Sequence, residues 1–363
     1  MKEFTFRYEG MHPGYPIGEL APEDRILFID IETTGLSREH SDLYLIGCGF
    51  FDSDGYNTIQ WFAQSPGEES LIIRRFTAFI NGRFSLLVHY NGNHFDIPYL
   101  SYKAGKHGLE NPLSGLDNYD IYAAVKPLKN ILGLYSLRQR CIEQLLDINS
   151  DDPYTGRELI RVYHDYVKTQ DEKLLHPLIY HNSEDLKGMG LILPILHYTS
   201  LKDTPLSYVS HEIHGFSDLS GNSHSEILAD YTHSLNIPKS IMIKHDDIVI
   251  SLRSDKTAVI RIPLISETLK HYYDDYKNYY YLPAEDCCIL KEIASGVDSS
   301  RIENAKKETC YTKHSGLFIP AITAHNTLFR SDLSSKRSYI PYSENDASKI
   351  LSSIGSEILR QTF

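Results

Sequence analysis

The chain has 363 residues, 41% of them hydrophobic and 23% charged, and a formal net charge of −12. The length exceeds one ordinary domain, so two domains are the default expectation, and the acidity gives no overall sign of a polyanion binder. No apolar run reaches the ~18 residues of a membrane span, and the N-terminal stretch MKEFTFRYEGMHPGY lacks the apolar core of a signal peptide, so a cytoplasmic protein with no membrane association is expected.

Residues 25–31 read as a buried strand ending in the acids Asp30 and Glu32. Two further strands follow in DLYLIGCGFFDSDGYNTIQWFA, with a hairpin turn at Asp52–Gly55. The apolar spacing of GEESLIIRRFTAFIN predicts a helix over 67–81. SLLVHY (85–90) is a fourth strand, FDIPYLSYKAGKHG a helix stopping at Gly108, and LDNYDIYAAV holds a fifth strand. From Ser136 to Tyr198 the pattern is helical, including TGRELIRVYHDYVKT and DLKGMGLILPILHY. The order β-β-β-α-β-α-β-α implies a mixed α/β sheet with helices on its faces.

The composition changes near residue 200. SYVSHEIHGFSDLSGNSHSE is polar and reads as a linker or irregular segment. The run SIMIKHDDIVISLRSDKTAVIRIPLI reads as an antiparallel meander turning at Asp246-Asp247 and at Ser254–Lys256. A second, smaller α+β region is placed at 205–363. The acidity is uneven: residues 201–363 carry 18 basic against 21 acidic side chains, so most of the negative charge belongs to the half containing Asp30 and Glu32. Residues 301–340 reverse the sign, with seven basic and three acidic, either a phosphate contact or an ordinary solvated face. The five cysteines are scattered and odd in number, which suits reduced thiols. Cys287, Cys288 and Cys310 are poorly spaced for zinc. HYYDDYKNYYYLP (271–283) holds six tyrosines, read as packing ahead of base stacking.

Asp30 and Glu32, two apart on a strand, point to one side. Side by side they repel unless a divalent cation lies between them, and hard cations such as Mg²⁺ and Mn²⁺ prefer oxygen ligands. Asp96 follows a strand in VHYNGNHFDIPYL, and Asp185 lies on a helix in IYHNSEDLKGMG, with His181 on the same face four residues earlier. A histidine there is a candidate general base toward water. The plainer alternatives are a solvent-exposed strand end for Asp30 and Glu32, a helix cap for Asp96 and a first-turn acid for Asp185. For His181 the alternative is a packed or solvated ring. Asp120 is read as structural.

FIDIETTGL, YNGNHFDIPYL and HNSED resemble, in order and spacing, the three exonuclease motifs of the DEDD superfamily, which has the ribonuclease H-like fold. The chain is similar more narrowly to YprB-type ribonuclease H-like proteins, and the resemblance covers about residues 20–200. It implies a ribonuclease H-like mixed five-stranded sheet with flanking helices, and a 3′→5′ exonuclease that hydrolyses terminal phosphodiesters of single-stranded RNA or DNA with two Mg²⁺ or Mn²⁺ ions. Asp30 matches the bridging ligand of both ions. Glu32 and Asp185 complete the tighter site, and Asp96 helps hold the other ion. Thr33, Thr34 and Gly35, with Leu36 beside them, are candidate contacts to the terminal nucleotide, as is Asn91; the alternative is that they only shape turns. The third motif departs from both known patterns, which place histidine five or tyrosine four residues before the aspartate. Here Tyr180 stands at minus five and His181 at minus four. Helical phase puts minus four about 40° from Asp185 and minus five about 140°, so His181 is the candidate to serve the water and Tyr180 its rival. A slow or inactive nucleic-acid-binding adaptor of the same fold is the alternative reading.

Overall fold

KEFTFRYE alternates aromatic with polar residues, and Lys2–Glu9 forms an edge strand, β1, which the sequence reading does not include. The computed structural model describes residues 1–322 and 327–362 and divides into two compact units, Met1–Thr199 and Ser200–Phe363. In the first, β2 (Ile26–Thr33), β3 (Leu43–Asp52) and β4 (Gly55–Phe62) form the expected meander. Helix α1 (Glu69–Ile80), strand β5 (Leu86–His89), helix α2 (Asp96–Lys106) and strand β6 (Asp117–Asp120) follow. The sheet order is β1-β4-β3-β2-β5-β6: the five expected strands plus β1, paired antiparallel to β4. β5 runs parallel to both β2 and β6, which makes the sheet mixed. Gly108 ends the second helix turn in the left-handed region (φ +67°) that glycine adopts without cost.

Short helices α3 (Ile121–Val125) and α4 (Gln139–Leu145) lead to α5 (Gly156–Thr169) and α6 (Leu175–Leu191). α5 starts with a capping box in which Thr155 and Glu158 satisfy each other's backbone donors. The regular helix stops at Leu191; Pro194 lies in the 3₁₀ segment that follows, because proline cannot donate within an α-helix. One face of the sheet, through Leu27, Ile29, Ile31 and Trp61, packs on Ile72, Phe76, Leu100 and Ala104 of α1 and α2. The other buries Tyr44 and Phe62 against Leu159, Tyr163, Leu178 and Ile179 of α5 and α6. Asp30 and Glu32 alternate with Ile29 and Ile31, so they leave β2 on the side opposite that first cluster.

The second unit is mostly β. Contrary to the linker expected at 207–226, β7 (Ser207–Ser217) and β8 (Ser223–Thr232) form a long antiparallel ribbon. Its turn is closed by Asp218, whose side chain accepts from the backbone N–H groups of Ser220 and Asn222. β7 is exposed along nearly its whole length, with Val209, Ile213 and Phe216 among its exposed side chains, so its sequence shows no one-sided apolar pattern. β9 (Ile241–His245), β10 (Ile248–Leu252) and the 16-residue β11 (Thr257–Tyr272) give the expected meander. Both its turns hold a residue with positive φ, Asp246 and Lys256. β12 (Tyr279–Leu282), β13 (Cys287–Leu290) and β14 (Glu303–Asn304) form a small separate sheet. β15 (Tyr311–Pro320) and β16 (Tyr339–Pro341) extend the main sheet beyond β11, and α7 (Ala347–Thr362) ends the chain.

Tyr279, Cys288, Ala305 and Cys310 make one buried cluster with Tyr273, Tyr276 and Tyr281 around it, so packing explains most of the tyrosine run. Of the basic residues in 301–340, Arg301, Lys313 and Arg337 pair with Glu285, Asp286 and Asp247, as on a solvated face. Residues 323–326 of that segment lie outside the described residues.

Candidate active site

β2 delivers two carboxylates to the sheet's α6 side, and the ladder to β3 shifts register between Glu32 and Thr33. A bulge there re-aims the chain where the strand ends. Asp30 lies opposite Gly47 of β3. A Cβ at Gly47 would come within 2.0 Å of the Asn182 side-chain oxygen. The missing side chain is what lets Asn182 of α6 reach across and donate to Asp30 Oδ2 at 2.7 Å. Gln60 of β4 fixes Asn182 from behind, donating to Asn182 Oδ1 at 2.7 Å and to the Ile179 carbonyl at 3.0 Å. Tyr56 donates to the Leu186 carbonyl at 3.0 Å, so α6 is tied to the sheet along the stretch that carries the third motif.

Asp96 opens α2 and accepts the Ile31 backbone N–H at 3.2 Å, which ties this helix start to β2 between the two acids. The loop before it turns at Asn91 (φ +62°). Asp120 accepts from the backbone N–H groups of Asn91 (2.8 Å) and Tyr122 (3.0 Å), the structural role expected of it. On α6, His181 and Asp185 face Glu32: His181 Nε2 is 3.6 Å from Asp185 Oδ2 and 3.8 Å from Glu32 Oε1. One ligand atom each from Glu32, His181 and Asp185 lies within 4.8 Å of the others, the only such metal-competent group among the described residues. Asp30 and Asp96 lie outside that trio.

The acids nonetheless sense one another. Burial, then Asp96, Glu32 and Asp185, hold the Asp30 carboxyl well above its usual range. Burial pushes Glu32 up to about 7, with His181 opposing and Asp185 and Asp96 adding to the rise. Burial likewise lifts Asp96 and Asp185 to about 6, with His181 opposing at Asp185. Carboxyls that resist ionisation in this way are stabilised by a cation among them, and carboxylate oxygens are donors that suit a hard divalent ion.

Around the acids, the predicted substrate contacts divide. Thr34 is used locally: its N–H donates to the Asp42 carbonyl at 2.9 Å and its hydroxyl accepts from Asp42 N–H at 2.8 Å. Thr33 donates its hydroxyl to the Gly35 carbonyl at 3.0 Å. These bonds support the turn-shaping alternative for both threonines. Leu36, by contrast, is 87% exposed and borders a cavity of 360 Å³ with Arg38, His94, Phe95 and Tyr99. Asn91 borders another, of 450 Å³, with Tyr90, Tyr122 and Arg138.

Sequence reasoning missed Asn182, although its place three residues before Asp185 on a helix was a usable signal. It also missed Asp152, a fully buried loop acid that meets His181 Nδ1 at 2.6 Å and that nothing in the local pattern marks. A third omission is the buried pair of Glu69 and Lys103, 2.8 Å apart. Glu69 also accepts the Leu43 N–H at 2.7 Å and meets His107 at 2.6 Å, which locks α1, α2 and the start of β3 together beside the first motif.

Residues 27–195 match the model of the RNase H superfamily. No curated protein matches the chain. Among solved structures, the family B DNA polymerase of the hyperthermophilic archaeon Pyrobaculum calidifontis is similar at 14% identity, covering 71% of this chain and 36% of the polymerase, with a TM-score of 0.38. The zinc-bound exonuclease I–single-stranded DNA complex of E. coli is similar at 15% identity over 57% of this chain and 54% of that one, with a TM-score of 0.29. A product-bound exonuclease I gives 15%, 57% and 58%, with a TM-score of 0.30. The chain thus spans only part of each of these proteins. No helix among the described residues is long and apolar enough to cross a membrane.

Proposed function

We propose that this chain, whose residues 27–195 match the model of the ribonuclease H superfamily, is a metal-dependent 3′→5′ exonuclease of DEDD type. Residues 20–200 form the catalytic domain, and 205–363 a region that helps grip substrate or a partner. The substrate is the 3′ end of single-stranded RNA or DNA. The observation that supports this reading is the convergence of Glu32 and Asp185 on the imidazole of His181, with the buried Asp30 and Asp96 on the neighbouring β2 and α2 and all four carboxyls held above their usual range. A binding module gains nothing from acids placed to repel.

Glu32 and Asp185, with Asp30, would hold one Mg²⁺ or Mn²⁺ ion, and Asp30 with Asp96 a second. Bound there, such ions would supply Lewis acidity toward water and the phosphodiester oxygens of an in-line displacement. The protein's own part is positional. Asn182 fixes the Asp30 carboxylate by its 2.7 Å bond, and the Ile31 N–H orients Asp96. His181 Nε2 faces the acids and takes the proton of the attacking water. Leu36, protruding beside the acids in sequence, gives the terminal base an apolar surface to rest on.

The test uses a 5′-end-labelled single-stranded oligonucleotide with Mn²⁺ or Mg²⁺, comparing wild type with Asp30→Asn. The expected result is stepwise loss of nucleotides from the 3′ end that requires metal and disappears in the variant. Internal cutting, or equal activity in Asp30→Asn, refutes the assignment. Retention of the oligonucleotide without cleavage would favour the adaptor reading.

A further inference from the structure

We propose that Asp152, in the loop between α4 and α5, is the positioning residue that fixes which nitrogen of His181 faces the acids; this rests on the nuclease reading above. The Asp152 side chain is wholly buried, and a buried loop carboxylate costs several kcal/mol unless it is fully partnered. Here it is. Oδ1 accepts the Tyr154 N–H at 3.0 Å. Oδ2 meets Arg140 Nη2 at 3.3 Å and His181 Nδ1 at 2.6 Å. Arg140 also donates to the Asp152 carbonyl at 2.5 Å, so the loop is pinned to α4 by contacts that do not involve the histidine. The carboxylate is therefore a fixed acceptor, and the imidazole adjusts to it.

An ionised carboxylate only accepts, so the short bond places hydrogen on Nδ1 of His181. In the neutral ring Nε2 then carries the lone pair, and Nε2 is the atom 3.6 Å from Asp185 and 3.8 Å from Glu32. Asp152 itself contacts neither of those acids through any hydrogen bond in the structure, so it acts through His181. This also accounts for the shifted third motif. A histidine at minus four on the helix shares a face with Asp185, but the helix alone does not set the rotation or tautomer of its ring. The loop carboxylate supplies both.

The experiment is a double-mutant cycle. Wild type, Asp152→Asn, His181→Ala and the double variant are compared for kcat and KM on the 3′ end of a single-stranded oligonucleotide at saturating Mn²⁺. Mn²⁺ affinity is measured separately by electron paramagnetic resonance. Asp152→Asn is expected to lower kcat about 10–100-fold, as loss of an orienting partner does. KM and Mn²⁺ affinity stay within about twofold of wild type. In the His181→Ala background Asp152→Asn costs no further activity. Independent losses in the two backgrounds, or weakened Mn²⁺ binding in Asp152→Asn, overturn the proposal. A readout that needs no variant to fold is the long-range ¹⁵N–¹H spectrum of wild-type His181 above the pH where its ring is charged, expected to show the Nδ1–H tautomer. An Nε2–H tautomer in a wild type that degrades the oligonucleotide overturns the proposal alone. Absence of any metal-dependent cleavage by wild type overturns the proposed function and the positioning role with it.

Discussion

Asp30→Asn, the variant expected to abolish cleavage, is also expected to make the metal-free protein more stable. Asp30 is buried, and Asp96, Glu32 and Asp185 all raise its carboxyl above the ordinary range. Burial and repulsion together set the scale, as its neighbour Glu32 shows, lifted from 4.5 to about 7 by burial first and by Asp185 and Asp96 after it; at about 1.4 kcal/mol per pH unit, keeping that group ionised above pH 7 costs on the order of 3 kcal/mol. An asparagine has the shape of the aspartate, and its Oδ1 can still accept the Asn182 bond that now measures 2.7 Å. The substitution removes one charge from the cluster and leaves the packing alone. A gain of about 2 kcal/mol at pH 8 in EDTA follows, or about 4–8 °C in Tm for a unit of 150–250 residues. At pH 5 most of the gain vanishes, because the carboxyls are then already protonated. Mn²⁺ raises the Tm of wild type and raises that of Asp30→Asn much less. Differential scanning fluorimetry at the two pH values, with EDTA or Mn²⁺, reads all four conditions. A variant destabilised equally at pH 5 and pH 8 in EDTA refutes the reasoning, because the acids would then not be crowding one another.

Two further outcomes follow from the same geometry. Glu32, lifted from 4.5 to about 7, and Asp96, lifted from 3.8 to about 6, bind protons more tightly folded than unfolded. Their contribution is present in full below about pH 4 and is lost as pH rises through 6 to 7. His181, also raised, loses its contribution in the same direction. The metal-free protein should therefore lose stability across that window while the Mn²⁺-bound protein does not, seen as a Tm increment from Mn²⁺ that grows with pH; an increment independent of pH would disprove it. Lys103→Met leaves the buried Glu69 charge with only the Leu43 and His107 partners, at a cost of about 3 kcal/mol in urea unfolding. Glu69→Gln in the same chain should recover part of that loss, and no recovery would show that packing, not charge, is at stake.

The parts of the fold legible in the sequence were those with a continuous apolar run or a clear apolar period. β2 and the two strands joined at Asp52–Gly55 are apolar runs buried on both faces, the helix over 69–80 buries one stripe, and the acids stand at element ends where such runs stop. β1 was missed because its charged and aromatic residues are mostly exposed, so its alternation carries little apolar signal. The β7–β8 ribbon was misread because β7 buries almost nothing; its register is set by the turn at Asp218 and by pairing with a neighbour, neither of which leaves a hydrophobic pattern. Asp152 and Lys103 were invisible for a different reason. Their partners lie 29 and 34 positions away, at His181 and Glu69, and a buried charge in sequence looks like any surface charge until the chain brings its counterpart to it.

The exchange of Tyr180 and His181 gives the sharpest separation between helical phase and family pattern. Tyr180 stacks on His176 with ring centroids 5.6 Å apart and an interplanar angle of 12°. Both line a mostly apolar groove of 450 Å³ with Phe4, Phe6 and Tyr8 of β1. None of the four acids borders that groove. His181, one residue on, is turned by about 100° of helix rotation to the face where Nε2 meets Asp185 and Glu32. Tyr180→Phe keeps the ring and its stacking and removes only the hydroxyl, so kcat and Mn²⁺ affinity should match wild type. His181→Ala should lose about 10²–10⁴-fold in kcat, the usual worth of a proton acceptor in such a step. If Tyr180→Phe fell as far as His181→Ala, the hydroxyl would have to reach the water from the far side of α6. The orientation of that helix, and with it the grouping of Glu32, His181 and Asp185, would then be wrong.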